Sequence, residues 1–103
     1  MLPEQTIQGA VERIVAAANP TRVILFGSYA RGEANEDSDL DLMVVEKDVP
    51  NVGEEMVRLR SAVGSIGIGV DVLVYSEQEF AKRREWCSSP VYWAVREGKV
   101  LYG

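Results

Sequence analysis

Apolar residues recur at helical intervals near the start of the chain. Ile7, Val11, Ile14, Val15 and Ala18 share one side and Asn19-Pro20 ends the pattern, which predicts an amphipathic helix from about Pro3 to Ala18. The run Arg22-Val23-Ile24-Leu25-Phe26, cut off by Gly27, is too short for a helix and reads as a strand buried on both faces. Gly27 to Asp37 is polar and loop-like, with room for a helical turn at Ala30-Arg31. From Asp39 to Val45 the pattern has period two: Leu40, Leu42 and Val44 face one way, Asp39, Asp41 and Met43 the other. Asn51 and Glu54 form a capping-box start for a helix carrying Val52, Met56, Leu59 and Val63, and Gly64, Gly67 and Gly69 end it. Val70 to Tyr75 is a third strand with Asp71 opposite its valines. Ser76 with Glu79 opens a helix to about Trp86, Ser89-Pro90 starts another that stops at Gly98, and Lys99–Tyr102 is a short last strand. This order predicts an α/β fold with helices on a small mixed sheet, in two or three layers.

Composition narrows the chemistry. The chain has 103 residues, enough for a single domain over 1–103. It contains no histidine, which removes imidazole-based catalysis and His-ligated zinc. The single Cys87 excludes an intrachain disulfide and predicts a buried or half-buried, inert thiol in a reducing, cytoplasmic setting. No apolar run approaches the roughly 20 residues of a membrane helix. The net charge of −5 is local: residues 33–48 hold seven of the 16 acids and one of the 11 bases, so the remainder is slightly basic. Concentrated carboxylates imply a solvated loop or a bound cation.

Asp39 and Asp41, two apart on a strand, put their carboxylates on one face with α-carbons roughly 6.5 Å apart. A lone Asp-x-Asp is commonly a solvent-side pair, but two further features favour a site. Asp71 interrupts an apolar strand, where burial of an unpartnered carboxylate would be costly, and Gly27-Ser28 stands where the first strand ends, suited to holding a phosphate. Oxygen donors alone select a hard ion, Mg²⁺ or Mn²⁺. A Walker A loop is excluded because Glu33-Ala34 stands where Lys and Ser/Thr are needed, and an EF-hand because Leu42 replaces the required glycine.

Gly27-Ser28-Tyr29-Ala30-Arg31-Gly32 followed by Ser38-Asp39-Leu40-Asp41-Leu42-Met43-Val44 resembles the Gly-Ser and Asp-x-Asp signature of the DNA polymerase beta-like nucleotidyltransferase superfamily. With the short length and the ending Glu97-Gly98-Lys99-Val100-Leu101-Tyr102, it is similar to the minimal nucleotidyltransferase (MNT) domains. The resemblance implies that Gly27 and Ser28 hold the nucleotide's phosphates. It also implies that Asp39, Asp41 and Asp71 ligate two Mg²⁺ ions, with Asp71 helping to deprotonate the acceptor. Arg31 matches the family's arginine, as a phosphate contact or as a salt bridge to the acidic loop. By the same resemblance the expected function is an antitoxin enzyme. It would transfer AMP from ATP to a hydroxyl, a tyrosine's foremost, of a HEPN toxin in a hetero-oligomer, the acceptor coming from outside so short a chain. The alternative is a non-catalytic antitoxin that neutralises by binding.

Lys82, Arg83 and Arg84 suggest nucleic acid, but three bases on a helix are usually a solvated face and the net charge opposes duplex binding. One of Trp86 and Trp93 is expected in the core and the other on a partner. Tyr29 is expected to pack its loop, with stacking on a base as the alternative.

Overall fold

The computed structural model describes residues 2–103. Helix α1 (Glu4–Ala18) leads through Asn19 into strand β1 (Arg22–Phe26); the short helix α2 (Ser28–Arg31) and a polar loop follow, then β2 (Leu40–Glu46), α3 (Val52–Val63), β3 (Val70–Ser76), α4 (Glu77–Arg83), α5 (Pro90–Glu97) and β4 (Lys99–Tyr102). The helix boundaries have local causes. Asn19 takes the left-handed conformation (φ 47°) that ends α1 before Pro20. The side chains of Asn51, Ser76 and Ser89 each accept a backbone N–H in the first turn of α3, α4 and α5.

The four strands lie in the order β3-β2-β1-β4. β1 runs antiparallel to both β2 and β4, while β2 and β3 are parallel. Helices cover both faces, so the fold has three layers. Leu40, Leu42 and Val44 point into one core with Ala10, Val11 and Ile14 of α1 and Leu59 and Val63 of α3. On the other face, Ile24, Met43 and Val45 are sealed by Phe80 of α4 and by Val91 and Ala94 of α5. β2 is thus apolar on both sides from Leu42 to Val45, which leaves its two ends, at Asp41 and Glu46, to carry carboxylates. Among the described residues no helix is long and apolar enough to cross a membrane.

Several expectations need correction. α4 stops at Arg83, before Trp86. Both tryptophans are exposed, at 45% and 48%; Trp86 lies near Lys82 and Arg83, and Trp93 donates through Nε1 to the Cys87 carbonyl (3.0 Å). α5 buries Val91 and Ala94, so Trp93, between them in sequence, faces outward. Cys87 is exposed, because it lies in the turn between α4 and α5 rather than on a core face. Tyr29 packs against the α1/α3 core and its hydroxyl accepts the Leu2 N–H, in keeping with loop packing.

One acid is buried among the described residues: Glu46, the last residue of β2. Burial, followed by a hydrogen bond to and the charge of Glu55, pushes its carboxyl up to about 7, with Arg58 opposing. A carboxyl that binds its proton more tightly folded than unfolded stabilises the fold fully at acid pH. That stability is lost as pH rises from about 4.5 towards 7. Urea titrations are therefore expected to show a loss on the order of 1–2 kcal/mol between pH 5 and pH 8. In Glu46→Gln that part of the pH dependence should disappear, and an unchanged profile would show that Glu46 is not its source.

Candidate active site

Because β1 and β2 are antiparallel and β2 and β3 parallel, one transverse row of the sheet aligns Phe26, Asp41 and Asp71. Their side chains share a face, the α4/α5 side, since residues paired across strands point the same way. The next rows on that face, Ile24-Met43-Leu73 and Arg22-Val45-Tyr75, lie towards the α4/α5 core, so the two aspartates occupy its uncovered end. Asp41 is half-buried and Asp71 exposed. The burial cost argued for Asp71 from sequence does not arise: β3 is an edge strand, and its alternate side chain at this position reaches solvent.

The sequence places Asp39 on β2, but the strand begins at Leu40. Leu40 N–H donates to the Gly69 carbonyl (3.0 Å), which sets Asp39 opposite Gly69. The contact is close: a Cβ on Gly69 would overlap Asp39 Oδ1. Gly27 does the same for Asp41, a Cβ there overlapping Asp41 Oδ2. Each aspartate of the Asp-x-Asp pair is therefore pressed against a glycine. The sequence marks Gly69 only as a helix breaker; the signal that could have found it is its register one residue before Val70, the partner of Leu40. Gly69→Ala is expected to turn Asp39 away without unfolding the chain, since Asp39 is not buried and Gly69 has no positive φ. In a transfer assay Gly69→Ala is expected to need a several-fold higher Mg²⁺ concentration than wild type for half-maximal rate, and an unaltered Mg²⁺ dependence would remove Gly69 from the site.

Gly27 adopts φ 73°, ψ −156°, a conformation open to glycine and hostile to other residues. It turns the chain sharply out of β1 into α2. The Ala30 and Arg31 N–H groups close back onto the Gly27 carbonyl, leaving those of Ser28 and Tyr29 at the head of the turn without an intrahelical partner. Ser28 thus stands directly after the glycine that touches Asp41. Arg31 forms a salt bridge with Glu33 across the exposed loop, which is the second of the two roles expected for it. Its charge still reaches Asp41.

Electrostatically the centre of the site is Asp41, whose carboxyl is pushed up to about 6. Partial burial is the largest cause, then the charge of Asp71, a hydrogen bond with Asp71 and the charge of Asp39; Arg31 pulls the other way. The structure thus pairs Asp41 with Asp71 across the parallel ladder and leaves Asp39 to one side, against Gly69. Among the described residues no three acids converge closely enough to enclose a single ion. The donor set nevertheless fits a hard divalent cation: it is all oxygen, it repels itself, and the neighbouring Arg31 is engaged by Glu33. Carboxylates held against a glycine-hinged turn at the open end of a sheet form a site for transfer of a phosphorus-bound group.

Comparison with known proteins gives that class its family. The chain belongs to the family described as "Nucleotidyltransferase domain", whose model matches residues 6–94. It is 35% identical over 82 residues to a Methanocaldococcus jannaschii protein named "Putative protein adenylyltransferase", covering 79% of this chain and 77% of that one. It is also 36% identical over 52 residues to the protein adenylyltransferase MntA of Thermococcus cleftensis, about half of each chain (50% and 52%). A nucleotidyltransferase-like crystal structure from Sulfolobus solfataricus shares the fold, with TM-score 0.65 at 23% identity over 93% of this chain and 76% of that one. A toxin-antitoxin structure with AMP-PNP aligns at TM-score 0.59 and 25% identity, covering 93% of this chain and 73% of its own. The MntA-HpeT toxin-antitoxin complex aligns at 0.57 and 25% over all of this chain and 74% of its own. The protein is a nucleotidyltransferase.

Proposed function

We propose that this nucleotidyltransferase transfers AMP from ATP to a hydroxyl, a tyrosine's by preference, on a HEPN-type toxin with which it assembles in the cytoplasm, acting as its antitoxin. The observation that carries the reading is the row Asp41-Asp71 set against Gly27-Ser28, with Asp39 beside it. Support for the adenylyl group and for a toxin partner comes from the relatives named protein adenylyltransferases and from the toxin-antitoxin complexes of like fold.

In this reading Asp41 and Asp39 are the metal ligands, and Asp71 is both a ligand and the carboxylate nearest the acceptor hydroxyl. Mg²⁺ bound there, as two ions in the full site, would neutralise phosphate charge and lower the pKa of the acceptor oxygen. Ser28 Oγ and the free N–H groups at the head of α2 donate to the terminal phosphates, and Arg31 offers its charge at the mouth of the site. Asp71, exposed at the sheet edge, receives the proton that leaves the attacking hydroxyl. The α-phosphorus passes to that oxygen as pyrophosphate departs.

The test is mass spectrometry of the product of the adjacent gene after incubation with this protein, ATP and Mg²⁺. A gain of one or more AMP groups on a hydroxyl side chain is expected. If the partner is neutralised in cells by wild type and by the Asp39→Asn/Asp41→Asn variant alike, with no mass gain, the protein acts by binding alone.

A further inference from the structure

Glu46 lies five residues along β2 from Asp41, about 16 Å away at strand rise and clear of the active site. It opens into a cavity of about 370 Å³ between the end of β2 and the first turns of α3. Four acids line it, Glu46, Asp48, Glu54 and Glu55, against the single cation Arg58. Crowded acids alone mean little. The distinguishing feature is Glu46, nine-tenths buried, whose Oε2 is enclosed and has no hydrogen-bond donor.

None of its neighbours supplies one. Glu55 is an acceptor already engaged by Arg58, which donates from Nε and Nη2 to its two oxygens at 2.7 Å each. Arg58 Nη1 donates to the Ala17 carbonyl (2.8 Å). The guanidinium is therefore tied to Glu55 and α1, and Glu46 faces a carboxylate with one donor missing between them. A buried acceptor in this position needs either a proton or an N–H group from outside. The rise of the Glu46 carboxyl towards 7 expresses the same deficit.

We propose that this cavity binds a primary ammonium group carried on an alkyl chain, the ammonium donating to Glu46 Oε2 and to Glu55 while the methylenes lie along Val49 and Pro50. Three observations select this ligand class. An ammonium has several donors and no acceptor, which suits two facing carboxylates. The cavity is far larger than a bare ion, and among the described residues no three acids converge as a metal ligand set. Its walls combine apolar Val49 and Pro50 with the acids Asp48 and Glu54 nearer solvent, matching a chain that is apolar along its length and charged at its ends. The ammonium can belong to a free polyamine or to a lysine side chain of another protein.

Calorimetric titration at pH 8 and low salt, with spermidine and separately with Nα-acetyl-lysine methylamide, distinguishes the two sources. Tighter binding of spermidine assigns the cavity to free polyamines, and binding of the lysine analogue as tight or tighter assigns it to a protein side chain; either upholds the site. Glu46→Gln should weaken the better probe by about tenfold or more, whereas Glu36→Gln, which removes the same charge from the distant acidic loop, should change it less than about twofold. The amide introduced by Glu46→Gln can donate to Glu55, so the variant should remain folded, and its unfolding transition is recorded alongside. Binding should also weaken from pH 8 to pH 6, as protons compete for Glu46 in the field of Glu55, Asp48, Glu54 and Arg58. Equal binding to wild type and Glu46→Gln, or no saturation by either probe at about 10 mM, overturns the proposal.

Discussion

Replacing Asp41 by Asn is expected to lower nucleotidyl transfer by about a thousandfold or more while leaving the folded chain more stable in the absence of divalent cation. The two effects have one origin. Asp41 sits between Asp71, its partner across the parallel ladder, and Asp39, two residues away, and its half-buried carboxyl is pushed up to about 6 by desolvation and by those like charges. An Asn keeps the shape and can donate to Asp71, so the repulsion vanishes. With the side chain partly wet, the gain is on the order of 1 kcal/mol, or a few degrees in Tm for a domain of this size. The same substitution removes the charge that would draw a cation to the centre of the site. Thermal unfolding in chelator together with a transfer assay checks both, and a variant that loses activity and stability together would mark Asp41 as a structural residue.

Gly27→Ala is expected to cost about a hundredfold in transfer and roughly 2 kcal/mol in stability. Two independent penalties meet at this residue. Its φ of 73° strains any L side chain, and the new Cβ would overlap Asp41 Oδ2, so the carboxylate, the turn or both must move. Gly32, at φ 72° and ψ 22° in the milder left-handed region and with nothing near its Cβ direction, is the comparison: Gly32→Ala carries a smaller backbone strain and no clash, so it should cost less in both respects. If the two alanine variants lose activity equally, the contact between Gly27 and Asp41 is irrelevant to transfer and only the turn matters. Added to Asp41→Asn, Gly27→Ala should lower activity little further, because the group it displaces is already disabled.

Much of this site is legible in the sequence because its parts are local. Gly27-Ser28 and Asp39-x-Asp41 are short motifs, and period two puts Leu40, Leu42 and Val44 in a core wherever the strand ends. Strand pairing is not local. That Asp41 faces Asp71 in register while Asp39 falls outside the ladder against Gly69 depends on the Leu40-Val70 pairing, which no spacing along the chain reveals. The same limit explains Asp71, whose exposure follows from β3 being the sheet edge. Cys87 and the one tryptophan expected in the core depart from expectation because residue-type preferences for burial are weak around the turn between two short helices. Glu46 carries no sequence signal, since one acid at the end of an apolar strand normally marks the exit to solvent; here α3 folds over it.

The central claim is that Asp39, Asp41 and Asp71 direct transfer of the nucleotidyl group of ATP to a protein acceptor. The most direct test incubates the protein and the product of the adjacent gene with Mg²⁺ and ATP labelled at either the α- or the γ-phosphate. The α-label alone is expected to become covalently attached to the partner, and Asp41→Asn to abolish the attachment. Attachment of the γ-label, or equal α-labelling by wild type and Asp41→Asn, would contradict the claim.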